Sequence, residues 1–127
     1  AGAQYLVAPS TRSDVLSRAA LLGVPCIPGA ATATEIEHAM ELGATAVKVF
    51  PAEQLGGPAY LRALQVPLSG IPLLPSGGVD VTNATEYMSA GAAGLIVGSC
   101  VFSAGAMVAG DYTAISQATR ELVEVMR

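Results

Sequence analysis

The sequence predicts an α/β fold built on a parallel sheet with helices packed outside it. Three observations predict it. Short apolar runs bounded by glycine or proline recur at residues 4–8, 24–28, 45–50, 71–75 and 94–98, with starts 20 to 26 residues apart. Segments of helical period lie between them. The runs are nearly continuous rather than alternating, as expected of strands covered on both faces.

Taken in order, Ala1-Gly2-Ala3 reads as a helix end and a turn that lead into the run 4–8. Val15, Leu16, Ala19, Ala20 and Leu22 then form one apolar helical face, and Gly23 is its stop. After the run 24–28 comes Thr32-Ala33-Thr34-Glu35, a capping box in which Thr32 caps and Glu35 reaches back. That helix stops at Gly43. The run 45–50 precedes a shorter helix near 58–65, and the run 71–75 precedes one from about 81 to 90, with Asp80 as cap and Gly91 as stop. After the run 94–98, Asp111 caps a last helix over roughly 112–126, with Ile115, Ala118, Leu122 and Val125 on one face.

Five such units do not close a barrel. A (β/α)8 barrel needs eight strands and usually at least ~200 residues. Three strand–helix units would then precede Ala1, and the first residues do read as a chain that begins mid-domain. An open flavodoxin-like sheet also accommodates five strands. Periodicity leaves both open.

At 127 residues the chain is expected to form a single domain, 1–127. A hydrophobic content of 52% against 13% charged places most residues in an interior or an interface. The net charge of −4 supplies no basic stripe, so nucleic acid is not an expected partner. No apolar run approaches the ~20 residues of a membrane helix, and no targeting leader is evident, so a membrane is not expected either. Cys26 and Cys100 sit in apolar stretches without metal-ligand spacing. They are expected as reduced core residues, in the cytoplasm or a reducing organelle stroma or matrix.

Lys48 is the most informative residue. It is the one lysine in the chain and lies inside Ala46-Val47-Lys48-Val49-Phe50, a strand of buried type. Such surroundings disfavour an ammonium and favour the neutral amine. A neutral amine in an apolar pocket is what attack on a ketone requires. The alternative is a lysine at a strand end whose tip reaches water. Pro75-Ser76-Gly77-Gly78 and Val97-Gly98-Ser99 follow the fourth and fifth runs. Glycines there let backbone N–H groups approach an anion, and a hydroxyl adds a donor. In barrels the phosphate site typically follows the last two strands. A single Gly-Gly turn is usually only a turn; two after successive strands, beyond a buried lysine, say more.

These residues resemble one family, the class I aldolases for 2-keto-3-deoxy-6-phosphogluconate (KDPG) and 4-hydroxy-2-oxoglutarate (KHG). The resemblance runs through nearly the whole chain. It is carried by Gly2-Ala3-Gln4, Ala8-Pro9, Ile27-Pro28-Gly29, Lys48-Val49-Phe50-Pro51-Ala52-Glu53, Pro75-Ser76-Gly77-Gly78, Gly98-Ser99 and Gly110-Asp111-Tyr112. The lysine-to-glutamate stretch is the specific one. The resemblance implies a (β/α)8 barrel of TIM type, of which this chain covers about the last five units. It also implies a homotrimer, with Lys48 as the Schiff-base residue. Phe50 matches a residue that packs beside the substrate, and Pro9 one beside the pyruvyl group. Ser76, Gly77, Gly78, Gly98 and Ser99 match the phosphate-binding turns, with serine at 76 where family members usually carry threonine.

The implied reaction is cleavage of KDPG or KHG to pyruvate and an aldehyde. The partner is a small 2-keto acid, phosphorylated in the first case. No metal or cofactor is expected, because the imine is itself the electron sink. The family's general-base glutamate, and the arginine and threonine that hold the substrate carboxylate, lie on its first three strands, which this sequence lacks. Two other readings therefore stay in view: an aldolase-like structural or assembly subunit without turnover, and another phosphate-binding barrel such as a phosphosugar isomerase or a thiamine-phosphate synthase-like protein. Glu53 reads as a structural carboxylate that fixes the loop after Pro51, rather than a substitute base. His38, among Glu35, Glu37 and Glu41, reads as a solvated helix face. Arg12, Arg62 and Arg120 read as surface or subunit contacts, and Arg18 as a residue at a helix–helix contact.

Overall fold

A computed structural model describes residues 2–126. Ala1, read from the sequence as a helix end, lies outside them. The elements alternate in the expected way: β1 (Leu6–Val7), α1 (Ser13–Leu21), β2 (Cys26–Ile27), β3 (Gly29–Ala30), α2 (Ala33–Glu41), β4 (Val47–Val49), α3 (Gly57–Gln65), β5 (Leu73–Pro75), α4 (Ala84–Ser89), α5 (Ala104–Ala109) and α6 (Tyr112–Val125).

Every strand pairing is parallel. β1 pairs with β2, and β3, β4 and β5 form a second sheet in that order. The run 24–28, expected as one strand, is divided at Pro28. Proline has no N–H to donate, so the ladder to β1 ends at Ile27. The Pro28 carbonyl still accepts the Lys48 N–H at 2.9 Å, and Gly29 lies opposite Lys48. Neighbours follow sequence order without reversal, unlike the 2-1-3-4-5 order of a flavodoxin-like sheet.

The run 94–98 does not become a strand. It touches β5 through one parallel bridge, Ser76 to Ile96, supported by Ala93 N–H to Leu73 O at 2.9 Å and Ile96 N–H to Pro75 O at 3.0 Å. Among the described residues no strand pairs with its other side. An edge held from one side, with Gly94 and Gly98 at its ends, has little to hold it regular.

Among the described residues, helices cover the sheet on one face. Side chains alternate along a strand. Cys26, Val47, Val49 and Leu73 point into the core and meet Leu16 and Ala19 of α1, Ile36 and Ala39 of α2, Leu61 and Leu64 of α3 and Tyr87 of α4. On the other face Ile27, Lys48 and Leu74 are half-buried and Val7 is 42% exposed. Val7, Ile27, Leu74 and Ile96 line an open hollow of about 480 Å³ on that face.

The helices begin and end for local reasons. Thr32 Oγ1 accepts the Glu35 N–H at 3.3 Å, while Glu35 Oε2 accepts from Ala31 and Thr32 N–H at 2.7 and 2.9 Å. The capping box is therefore present as expected. α4 starts later than 81, because Asp80 is engaged elsewhere: its carboxylate accepts the Thr82 N–H at 2.8 Å and the Thr82 hydroxyl at 2.6 Å. Such local side-chain bonds compete with the helix, and Asn83 becomes the cap residue. α5 was not foreseen. Its marks are Ser103, whose Oγ accepts the Ala106 N–H at 3.2 Å, and Gly110, which closes it at φ 65°. Asp111 caps α6 as expected, accepting the Ala114 N–H at 3.0 Å.

Two further expectations are corrected. The apolar face of α1 is narrower than the sequence suggested: Ala20 is exposed and Leu22 is 60% exposed. Leu22 instead lines a groove of about 630 Å³ with Leu6, Val15, Arg18 and Val24. Cys26 is buried, and burial pushes its thiol up, but Cys100 is exposed on the turn after Ser99. No described helix is long and apolar enough to cross a membrane.

Candidate active site

Lys48 is the central residue of β4, and the register decides where it points. Val47 and Val49 face the helices and are almost wholly buried, so Lys48 faces the open side between Gly29 and Leu74. The side chain is half-buried rather than enclosed. Its Nζ lies 4.6 Å from the centroid of the Phe50 ring. The amine thus stands half-buried beside an aromatic face rather than enclosed in the dry pocket expected from the sequence.

Phe50 is 37% exposed and links three parts of the site. It stands over Lys48, shares a cleft of about 320 Å³ with Pro9 and Thr11, and packs on Gly77. A Cβ on Gly77 would lie 3.2 Å from the ring and 3.3 Å from Pro51 Cα, at a φ of +88° that already favours glycine. The loop after β4 is joined to the turn after β5 by Ala52 N–H to Ser76 O at 2.7 Å and Glu53 N–H to Gly77 O at 3.0 Å. The Glu53 side chain fills the space a Cβ on Gly78 would need. The Glu53 side chain thus packs on the turn after β5, a contact the sequence did not reveal.

Ser76 is buried, Gly77 half-buried and Gly78 exposed. The Gly77 and Gly78 N–H groups meet no backbone acceptor among the described residues. The Ser76–Ile96 bridge brings the exposed Gly98 and Ser99 to the same end of the neighbouring segment. The two turns are thus adjacent, at the C-terminal ends of β5 and its neighbour. Pro9 lies at the equivalent end of β1, against Gly29.

A model of the aldolase family described as KDPG and KHG aldolase matches residues 1–118. The chain belongs to this family. It is 43% identical over 129 residues to the 2-dehydro-3-deoxy-phosphogluconate aldolase of Treponema pallidum (strain Nichols), covering 99% of this chain and 61% of that protein. It superposes with TM-score 0.80 and 38% identity on a domain of a cube-shaped protein cage designed by fusing symmetric oligomeric domains, covering 97% of this chain and 47% of that one. It superposes with TM-score 0.83 and 26% identity on the KDPG aldolase of Legionella pneumophila with pyruvate captured as a covalent carbinolamine, covering 98% and 59%. The chain spans about three-fifths of the length of the curated relatives it matches.

Of the remaining polar residues of this family member, His38 has a side chain 60% exposed, lies 3.7 Å from Glu41 and lines the same cleft as Pro9 and Phe50. Arg12 pairs with Asp14 at 2.7 Å on the surface, and Arg18, Arg62 and Arg120 are exposed. Among the described residues no group of three or more His, Cys, Asp and Glu assembles as a metal site. Sequence reasoning missed Tyr87, whose buried hydroxyl lies beneath the loop after β4; its helical period marks it only as core. It also missed Gly29 as the contact of Pro9, although Ile27-Pro28-Gly29 had been singled out.

Proposed function

We propose that Lys48 forms a Schiff base with a 2-keto acid, and that the protein is a class I aldolase cleaving KDPG or KHG to pyruvate and an aldehyde. The observation that carries this reading is the position of Lys48, at mid-strand on the uncovered face of the sheet, with Phe50 over its amine. Family membership supports it, and so does the relative in which pyruvate is captured as a carbinolamine.

In the proposed reaction the neutral Lys48 Nζ adds to the C2 ketone, and water leaves to give a protonated imine. A base removes the C4 hydroxyl proton, the C3–C4 bond breaks, and the aldehyde departs. The electron pair passes into the imine and gives an enamine. Protonation at C3 and hydrolysis release pyruvate and free the amine. The Gly77, Gly78 and Ser99 N–H groups hold the distal phosphate, with the Ser76 and Ser99 hydroxyls beside them. That remote anchor orients the reacting centre.

The same reading takes the chain, as a single domain, to be the last five units of a (β/α)8 barrel. The unreversed strand order supports this, as do the uncovered sheet face and the groove beside α1. Upstream units would cover that face, enclose Lys48, and supply the base and the carboxylate clamp. A homotrimer in a reducing compartment completes the proposal, and the similar oligomeric domain supports the assembly.

Pyruvate release from KDPG and KHG, assayed for the full-length protein and its Lys48→Arg variant, tests the function. Activity is expected in the first and none in the second. An active Lys48→Arg variant would favour a phosphate-binding barrel of another chemistry, and an inactive full-length protein a structural subunit.

A further inference from the structure

We propose that Tyr60 is a positioning residue that ties together the loops after β3 and β4 and so holds Phe50 in place over Lys48. The inference rests on the aldolase reading above. Tyr60 stands half-buried in the first turn of α3 and donates its hydroxyl to the Ala31 carbonyl at 2.7 Å, a bond between residues 29 apart. Ala31 is held from its other side as well, because its N–H donates to Glu35 Oε2 at 2.7 Å. It lies between β3 and α2, in neither of them. A backbone segment outside regular structure takes its shape from bonds of this kind, since its polar groups must still find partners.

What adjoins Ala31 gives the bond its consequence. Ala31 lines the cleft shared by Pro9 and Phe50, and Ala30 before it accepts the Phe50 N–H at 3.1 Å. Tyr60 also meets the far end of the loop that Phe50 begins. A Cβ on Gly56 would stand 3.3 Å from Tyr60 Cβ, at a φ of +123° that favours glycine. That loop is closed by Gly56 N–H to Glu53 O and Gly57 N–H to Ala52 O, both at 3.0 Å. One side chain thus bridges the two loops on either side of Phe50. Phe50 is 37% exposed, so enclosure alone does not fix its ring. Tyr60 packs against the core, and its hydroxyl is presented from a rigid base. Tyr60 acts through these loops and does not touch the reacting atoms.

The test compares the full-length parent with Tyr60→Phe, which removes the donor and keeps the ring. Three quantities are measured: the thermal midpoint, the rate at which borohydride traps saturating pyruvate on Lys48, and amide hydrogen exchange across residues 29–35 and 47–56. Rates are compared well below both midpoints. Trapping is expected to slow on the order of tenfold, with faster exchange in both segments and unchanged exchange in α1. Parental trapping with an unchanged variant rate overturns the positioning role, even where the midpoint falls, because a bond that serves stability alone leaves the rate untouched. Slower trapping without faster exchange in the two segments overturns it as well. Either result leaves the aldolase reading intact. No trapping in the parent overturns both.

Discussion

Gly29 has no room for a side chain, because the backbone carbonyl of Pro9 stands where its Cβ would be. The strand that pairs with Lys48 is thereby pressed, backbone to backbone, against the loop after β1. Thr11 reinforces the contact by donating its hydroxyl to the Gly29 carbonyl at 3.0 Å. Pro9 reaches the cleft beside Phe50 for this reason.

Gly29→Ala must therefore move a main chain rather than a flexible tip. Overpacking of this kind costs about 1–3 kcal/mol. A lowered urea midpoint at unchanged slope is the expected result, and an unchanged midpoint would mean the two segments are not in contact.

The capping box of α2 gives a pH-dependent prediction. The Ala31 N–H, and next the Thr32 N–H, hold the Glu35 carboxyl below the usual carboxylate range. A depressed folded-state value contributes stability that is complete above the unfolded value of ~4.3 and is lost as pH falls through the lower folded one. Glu35→Gln should thus lie further below the parent at pH 7 than at pH 3. Thermal unfolding at both pH values measures the gap, and a constant gap contradicts the assignment. Thr32→Ala, which removes the cap itself, should cost about 1 kcal/mol at either pH.

Ser99 gives a prediction about substrate. Its N–H and hydroxyl are proposed phosphate donors, and a charge-assisted hydrogen bond contributes about 1.5–3 kcal/mol. In the full-length protein, Ser99→Ala should raise KM for phosphorylated KDPG by about tenfold or more and leave KM for unphosphorylated KHG unchanged. Equal effects on both substrates would place Ser99 outside the phosphate site.

Much of this was legible in the sequence. Thr32, Glu35 and Asp111 announce helix starts through bonds made within four residues, so their effect does not depend on the rest of the fold. Lys48 between Val47 and Val49 fixes one side chain on the face opposite two buried ones. Asp80 misled because the same carboxylate that can cap a helix can fold back on Thr82, and local spacing does not separate the two outcomes. The seating of Glu53 on Gly78 joins segments 25 residues apart, a contact that no local pattern encodes. Tyr87 was read over because an aromatic at a helical core position hides its hydroxyl.

The central claim is that one amine on the uncovered face of β4 condenses with a keto acid. Incubating the full-length protein with pyruvate and borohydride, then mapping the modified peptide by mass spectrometry, tests it most directly. The account predicts a single reduced pyruvyl adduct on Lys48, absent when either reagent is omitted. A protein that stays unmodified, or carries its adduct at another amine, would contradict it.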